Sequence, residues 1–94
     1  MITYTVKVDE YKTKWWYLND KLHREDGPAV EWADGSKWWY LNGKFHREDG
    51  PAAEWANGSK YWYLNGDRLT QAEFNSKMKK TITIDGITYK LFKE

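Results

Sequence analysis

The sequence predicts a mainly β protein: an antiparallel sheet of repeated β-hairpins, with one short C-terminal helix and a terminal β-hairpin cap. Three observations carry that expectation. A 23-residue unit runs from Lys14 to Ser36 (KWWYLNDKLHREDGPAVEWADGS) and again from Lys37 to Ser59 (KWWYLNGKFHREDGPAAEWANGS), differing at four positions, and restarts as KYWYLNG from Lys60 to Gly66. Tight-turn dipeptides recur at fixed places in the unit. Aromatic runs of strand length lie between them. A fixed period of this size marks a repeat architecture in which each unit buries its apolar surface against its neighbours.

The elements follow in order. Ile2 to Val8 alternates apolar and polar residues, which predicts a strand with Ile2, Tyr4, Val6 and Val8 on one face. Asp9 to Thr13 is polar and joins it to the first repeat. Asp34-Gly35, Asn42-Gly43, Asn57-Gly58 and Asn65-Gly66 are dipeptides that accept the positive φ angles of tight hairpin turns, and Asn19-Asp20 holds the matching place in the first copy. The return limb of each unit carries Asp26-Gly27-Pro28 or Asp49-Gly50-Pro51. Proline cannot donate to a ladder, so this corner predicts a bend or an interrupted strand. Thr70-Gln71-Ala72-Glu73 reads as a capping box opening a helix from about Gln71 to Lys80, with Leu69, Phe74 and Met78 toward the sheet. TITIDGITYKLF then predicts a hairpin turning at Asp85-Gly86. The whole is one domain over 1–94: N-terminal strand 1–13, repeats 14–36 and 37–59, a partial repeat 60–66, helix 67–80 and hairpin 81–94.

Alternation along the aromatic strands assigns two faces. Trp15, Trp38 and Tyr61 go with Tyr17, Tyr40 and Tyr63; Trp16, Trp39 and Trp62 go with Leu18, Leu41 and Leu64. The set holding Trp and Leu in all three copies is the one expected to pack.

Composition narrows the function classes. Seven Trp and seven Tyr in 94 residues argue against disorder, which is poor in aromatics. No apolar run reaches the ~18 residues of a membrane span. With 15 basic and 14 acidic residues interleaved, long-range attraction to nucleic acid is weak, so nucleic acid is an unfavoured partner and no membrane is expected. Cysteine is absent, which removes disulfides, thiol chemistry and a zinc ribbon. The N-terminal residues lack the basic region and apolar core of a signal peptide, and the expected location is the cytoplasm.

The residues W-Y-x-N-G-K-x-H-R-E-D-G-P-A resemble the MORN-type repeats, 23-residue β-hairpins. They resemble in particular a variety carrying HRxDGPA after an NG turn, which recurs in tandem in proteins of tailed bacteriophages and large DNA viruses. The resemblance covers Lys14 to Gly66, and the LTQAEF and TITIDGITYKL ending looks like small phage proteins. It implies a repeat sheet used as a binding or assembly surface, and no catalytic residue. A looser similarity relates WWYLN to the WYYLN of bacterial cell-wall-binding repeats.

His23 and His46, flanked by Glu25, Asp26, Glu48 and Asp49, are the natural candidates for metal or acid–base chemistry. With two strands per repeat, equivalent positions stand about 10 Å apart, too far for two imidazoles each ~2.1 Å from one zinc. The HRED corner is therefore expected to be structural, with no metal, cofactor or catalytic residue. The leading functional expectation is a non-catalytic protein–protein interaction module, of the kind a phage uses to bind and inhibit a host defence protein in the host cytoplasm. Its partner-binding residues are expected to be Trp15, Tyr17, Trp38, Tyr40, Tyr61 and Tyr63 with Arg24 and Arg47, because Trp, Tyr and Arg dominate interface hot spots. The alternatives are a carbohydrate or cell-wall-binding aromatic module, and a structural homo-oligomer joined through sheet edges.

Overall fold

The computed structural model describes residues 3–78 and 80–91 of the chain. The protein is mainly β. Chain order is β1 (Thr5–Val8), β2 (Lys14–Leu18), β3 (Lys21–Leu22), β4 (Val30–Glu31), β5 (Lys37–Trp38), β6 (Tyr40–Leu41), β7 (Lys44–Phe45), β8 (Ala53–Glu54), β9 (Lys60–Leu64), β10 (Asp67–Leu69), α1 (Gln71–Met78), β11 (Lys80–Ile84) and β12 (Ile87–Leu91). An eight-stranded antiparallel sheet runs β1-β2-β4-β5-β8-β9-β10 with β3 beside β2, while β6–β7 and β11–β12 form pairs of their own.

Within each repeat the outgoing strand changes partner halfway. Lys14 and Trp15 face Glu31 and Val30, whereas Tyr17 and Leu18 face Leu22 and Lys21. The exchange falls on the middle tryptophan: the Trp16 N–H donates to the Ala29 carbonyl at 2.8 Å, and the Trp16 carbonyl accepts the His23 N–H at 3.0 Å. Trp39 repeats this with Ala52 (2.7 Å) and His46 (3.1 Å). The return limb is thus split by the HREDGP corner, as a proline-bearing segment requires. The same exchange breaks the central aromatic run, expected as one strand, into β5 and β6 at Trp39. β2 escapes because β1 pairs along it from Thr5↔Tyr17 to Val8↔Lys14. β9 escapes because β10 takes over at Leu69↔Trp62 where β8 stops.

The turns divide into two kinds. Asn42-Gly43 and Asn65-Gly66 have both residues at positive φ (51° and 80°; 50° and 85°), the two-residue hairpin geometry that Asn-Gly favours, and Asn19-Asp20 adopts it too at 51° and 64°. Asp34-Gly35 and Asn57-Gly58 differ from the expectation: only the glycine is left-handed. Here the Trp32 N–H donates to the Ser36 carbonyl and the Gly35 N–H to the Trp32 carbonyl, enclosing a three-residue loop. The Asp34 carboxylate accepts the Ser36 N–H at 2.8 Å, which holds the aspartate on the right-handed side.

The N-terminal segment is a divergent half-repeat. The Asp9 N–H donates to the Thr13 carbonyl and the Lys12 N–H to the Asp9 carbonyl, the pattern of Trp32–Ser36. Lys12, at the place of Gly35, is forced to φ 70°. The Thr13 hydroxyl accepts the Ala33 N–H at 3.2 Å just as the Ser36 hydroxyl accepts the Ala56 N–H at 2.9 Å, so successive turns are pinned to one another. Asp9–Thr13 is therefore the first turn of the repeat rather than a plain connector, and the strand before it spans Thr5–Val8; Ile2 lies outside the described residues.

The capping box forms as expected: the Thr70 N–H donates to Glu73 at 3.0 Å, and the Glu73 N–H donates to the Thr70 hydroxyl at 3.1 Å. The helix ends at Met78, shorter than the expected Lys80, because Lys80 pairs with Leu91 in the terminal hairpin. Asp85 and Gly86 make the hairpin turn at φ 51° and 78°. The expected hairpin residues 92–94 lie outside the described residues. Buried positions are mostly small, Ala29, Val30, Ala52, Ala53, Thr13 and Ser36, joined by His23 and Phe74.

Two outcomes follow. Lys12→Gly should raise stability by about 0.5–1 kcal/mol in urea unfolding, since a left-handed non-glycine costs ~1–2 kcal/mol and glycine's extra unfolded-state freedom returns part of it. Hydrogen bonding to Thr70, reinforced by Lys77, holds the Glu73 carboxyl below its ordinary value. Its contribution is therefore present above the unfolded-state value and lost as pH falls through the lower folded one. The protection of the Phe74 amide, measured against its intrinsic exchange rate, should fall on acidification through that range, and Glu73→Gln should flatten the dependence.

Candidate functional site: the two faces of the repeat sheet

One face carries the HREDGP corners. The Arg24 guanidinium lies 4.0 Å over the Trp16 ring, donates through Nε to Asp26 (3.0 Å) and through a terminal nitrogen to the Pro28 carbonyl (3.2 Å), and stands 3.6 Å from Glu31. Arg47 repeats every contact: Trp39 at 3.7 Å, Asp49 at 2.8 Å, the Pro51 carbonyl at 3.0 Å and Glu54 at 3.6 Å. The corner glycine closes the other side. A Cβ on Gly27 would stand 3.0 Å from the Arg24 Cζ, and one on Gly50 3.1 Å from the Arg47 Cζ. These two glycines are required by close approach, with the guanidinium sandwiched between indole and backbone.

The histidines join one repeat to the next. The Asn42 N–H donates to His23 Nδ1 at 2.8 Å, and the Asn65 N–H to His46 Nδ1 at 2.9 Å. An accepting Nδ1 places the ring proton on Nε2, and His46 Nε2 faces Glu48 at 3.3 Å. Nearby, the Gly43 N–H donates to the Leu22 carbonyl and the Gly66 N–H to the Phe45 carbonyl, both at 2.8 Å. Among the described residues no three His, Cys, Asp or Glu gather where a metal could be held. A groove of about 530 Å³ lies between the corners, floored by Trp39 and Leu41 and rimmed by Glu25, Asp26, Glu48 and Asp49.

The opposite face is aromatic. Register places Trp15, Val30, Trp38, Ala53 and Tyr61 in one row across it, and Tyr17 with Leu22, Tyr40 with Phe45, and Tyr63 with Arg68 in another. Trp32 and Trp55 fold onto it from the turns, so that Trp15, Trp32, Trp38 and Trp55 meet edge to face in succession, with centroids 6.1, 4.9 and 5.3 Å apart. Phe45 stacks on Tyr40 at 4.3 Å and on Tyr63 at 4.7 Å. Burial, then the neighbouring Tyr63, raises the Tyr40 phenol above its ordinary value. Among the described residues, the buried indole N–H groups of Trp32 and Trp38 find no hydrogen-bond acceptor.

Of the expected partner-binding residues, the structure brings the six aromatics together on this face and sets Arg24 and Arg47 on the other. The packing also differs from the alternation argument. Rings pack on rings along the Trp15–Trp38 face, while Trp16 and Trp39 are covered by guanidinium groups. Trp32, Phe45, Trp55 and Arg68 were not singled out from sequence. The tryptophans recur at one position of both copies, which is a readable signal; their fold-over from a turn is not.

No family model, curated protein or solved structure matches the chain.

His23→Phe keeps a ring against Tyr4, 6.3 Å away, but removes the acceptor for the Asn42 N–H. It should cost about 1–3 kcal/mol, the range for a polar group left unpaired on burial, with faster exchange at Asn42. Gly50→Ala should displace Arg47 from Trp39 and lose ~0.5–2 kcal/mol of cation–π attraction. A shift of the Arg47 Nε–H resonance, with little change in Arg24, would report it.

Proposed function

We propose that the protein is a non-catalytic protein-binding module that docks through its aromatic face. The observation that carries this is the division of labour between the faces. The histidines are engaged in joining one repeat to the next and the arginines in holding each corner to its own strand, whereas the aromatic face is a row of half-buried Trp, Tyr and Phe edges, with Trp55 43% exposed. Half-buried aromatic side chains at a flat sheet face supply apolar area at small entropic cost, the composition of interface hot spots. The resemblance of the HRxDGPA repeat to tandem repeats of phage proteins supports a narrower version, an accessory protein that binds and inhibits a host protein.

Affinity capture from bacterial lysate tests it. A partner retained by the wild type should fall about tenfold or more with Trp55→Ser, and be kept by Glu25→Gln on the opposite face, both variants retaining the wild-type near-ultraviolet circular dichroism. Equal retention by Trp55→Ser overturns the reading. Retention on bacterial wall material that free sugar competes away would replace it with a glycan-binding one.

A further inference from the structure

Resting on that reading, we infer that the groove lined by Trp38, Phe45, Trp55, Tyr61, Tyr63 and Arg68 receives a partner segment that presents apolar side chains and carboxylates on one face. The groove has a volume of about 370 Å³ and opens on the aromatic face. Five of these six residues are aromatic and bring no charge. The sixth, Arg68, lies with its guanidinium 4.4 Å over the Tyr61 ring.

Charge complementarity selects the occupant. Arg24 and Arg47 each hold two carboxylates within 4 Å. Among the described residues, no carboxylate pairs with Arg68. It is exposed, with its guanidinium over the Tyr61 ring and its N–H donors open to a further acceptor. Across the strand positions of this face the other residues are Thr5, Lys7, Trp15, Tyr17, Leu22, Val30, Trp38, Tyr40, Phe45, Ala53, Tyr61 and Tyr63, so that Lys7 is the one further charge. Lys7 also rests on a ring, Tyr17, at 5.0 Å, and no described carboxylate pairs with it. The carboxylates of β4 and β8, Glu31 and Glu54, point to the opposite face, where they approach Arg24 and Arg47. An apolar face whose two charges are both cations without carboxylates favours an apolar partner that carries negative charge.

The layout favours a peptide over a nucleic acid. Lys7 and Arg68 stand six strand spacings apart along the sheet, about 29 Å, so no continuous basic track follows a phosphate chain. Phe45 is stacked between Tyr40 and Tyr63, which occupies the ring faces a base would need. An extended segment that carries both kinds of side chain on one face, at every second residue, can instead set an apolar group in the groove and a carboxylate at Arg68.

The probe is a short blocked peptide in which pairs of leucines alternate with pairs of glutamates, so that each face of the extended chain carries both, titrated into the full chain up to millimolar concentration. Its controls are the same peptide with glutamine or lysine for glutamate, and an oligothymidylate. Two-dimensional NMR should show saturable shifts of the Arg68 Nε–H and the Trp38 and Trp55 indole N–H resonances with the glutamate peptide. Binding should weaken about tenfold with the glutamine peptide or with Arg68→Gln. Lys60→Gln, the same charge removed from the other face of the neighbouring strand, should leave it unchanged. Equal binding of the glutamine peptide, equal loss in Lys60→Gln, tighter binding of oligothymidylate, or no shift at the groove overturns the inference. If captured partner is lost with Trp55→Ser while Arg68→Gln keeps it, the protein-binding reading stands and the acidic partner does not.

Discussion

A guanidinium group held between an indole ring and a glycine backbone is the interaction on which the rest of this structure depends. Each corner must reverse the chain without a continuous strand, because proline removes one ladder donor and the turn leaves several backbone groups without neighbours. Arg24 and Arg47 supply the missing partners at once: a flat cation for the tryptophan face, donors for the proline carbonyl, and charge for two carboxylates. The ion pairs alone, partly exposed to water, would contribute little. Their value lies in geometry, since a planar fork can satisfy all of these groups only in one place.

Once the corner is set, the histidine beside it faces the turn of the following repeat. The His23 and His46 rings accept backbone N–H groups nineteen residues ahead, and Thr13 and Ser36 do the same for turns twenty ahead. Both kinds of bond cross from one unit to the next, so no repeat is complete by itself, which is the nearest-neighbour logic of repeat proteins. The third unit breaks the rule. Leu69 and Thr70 stand where the histidine and arginine would be, and a capped helix packed against β9 and β10 takes the place of a corner. The series therefore stops in a helix rather than in another acceptor.

The molecule is thin, 20 Å across its shortest extent. In so thin a sheet a large side chain is seldom enclosed on all sides: the buried places go mostly to alanine, valine, serine and threonine, and Phe74 is enclosed where the helix adds a second layer. Tryptophan and tyrosine are covered sideways by their neighbours and keep an edge in water. This is why both faces are half-buried, and why one serves construction through its arginines while the other is available as an apolar surface.

Much of this was legible beforehand. The period, the Asn-Gly turns, the interrupted return limb, the capping box and the terminal hairpin all rest on interactions within a few residues, so local pattern specifies them. Alternation likewise specified which residues share a face, and it grouped the six aromatics of the candidate site correctly. What the chain could not show by itself was contact between segments some twenty residues apart. The partner of His23, the tryptophan beneath Arg24, the folding of Trp32 and Trp55 onto the face of Trp15 and Trp38, and the stacking of Arg68 on Tyr61 are all of that kind. The sequence alone determined a repeat of hairpins with two aromatic faces. Only the tertiary structure decided which face the arginines would cover, because that follows from where the corner returns to the sheet, a distance no local pattern encodes.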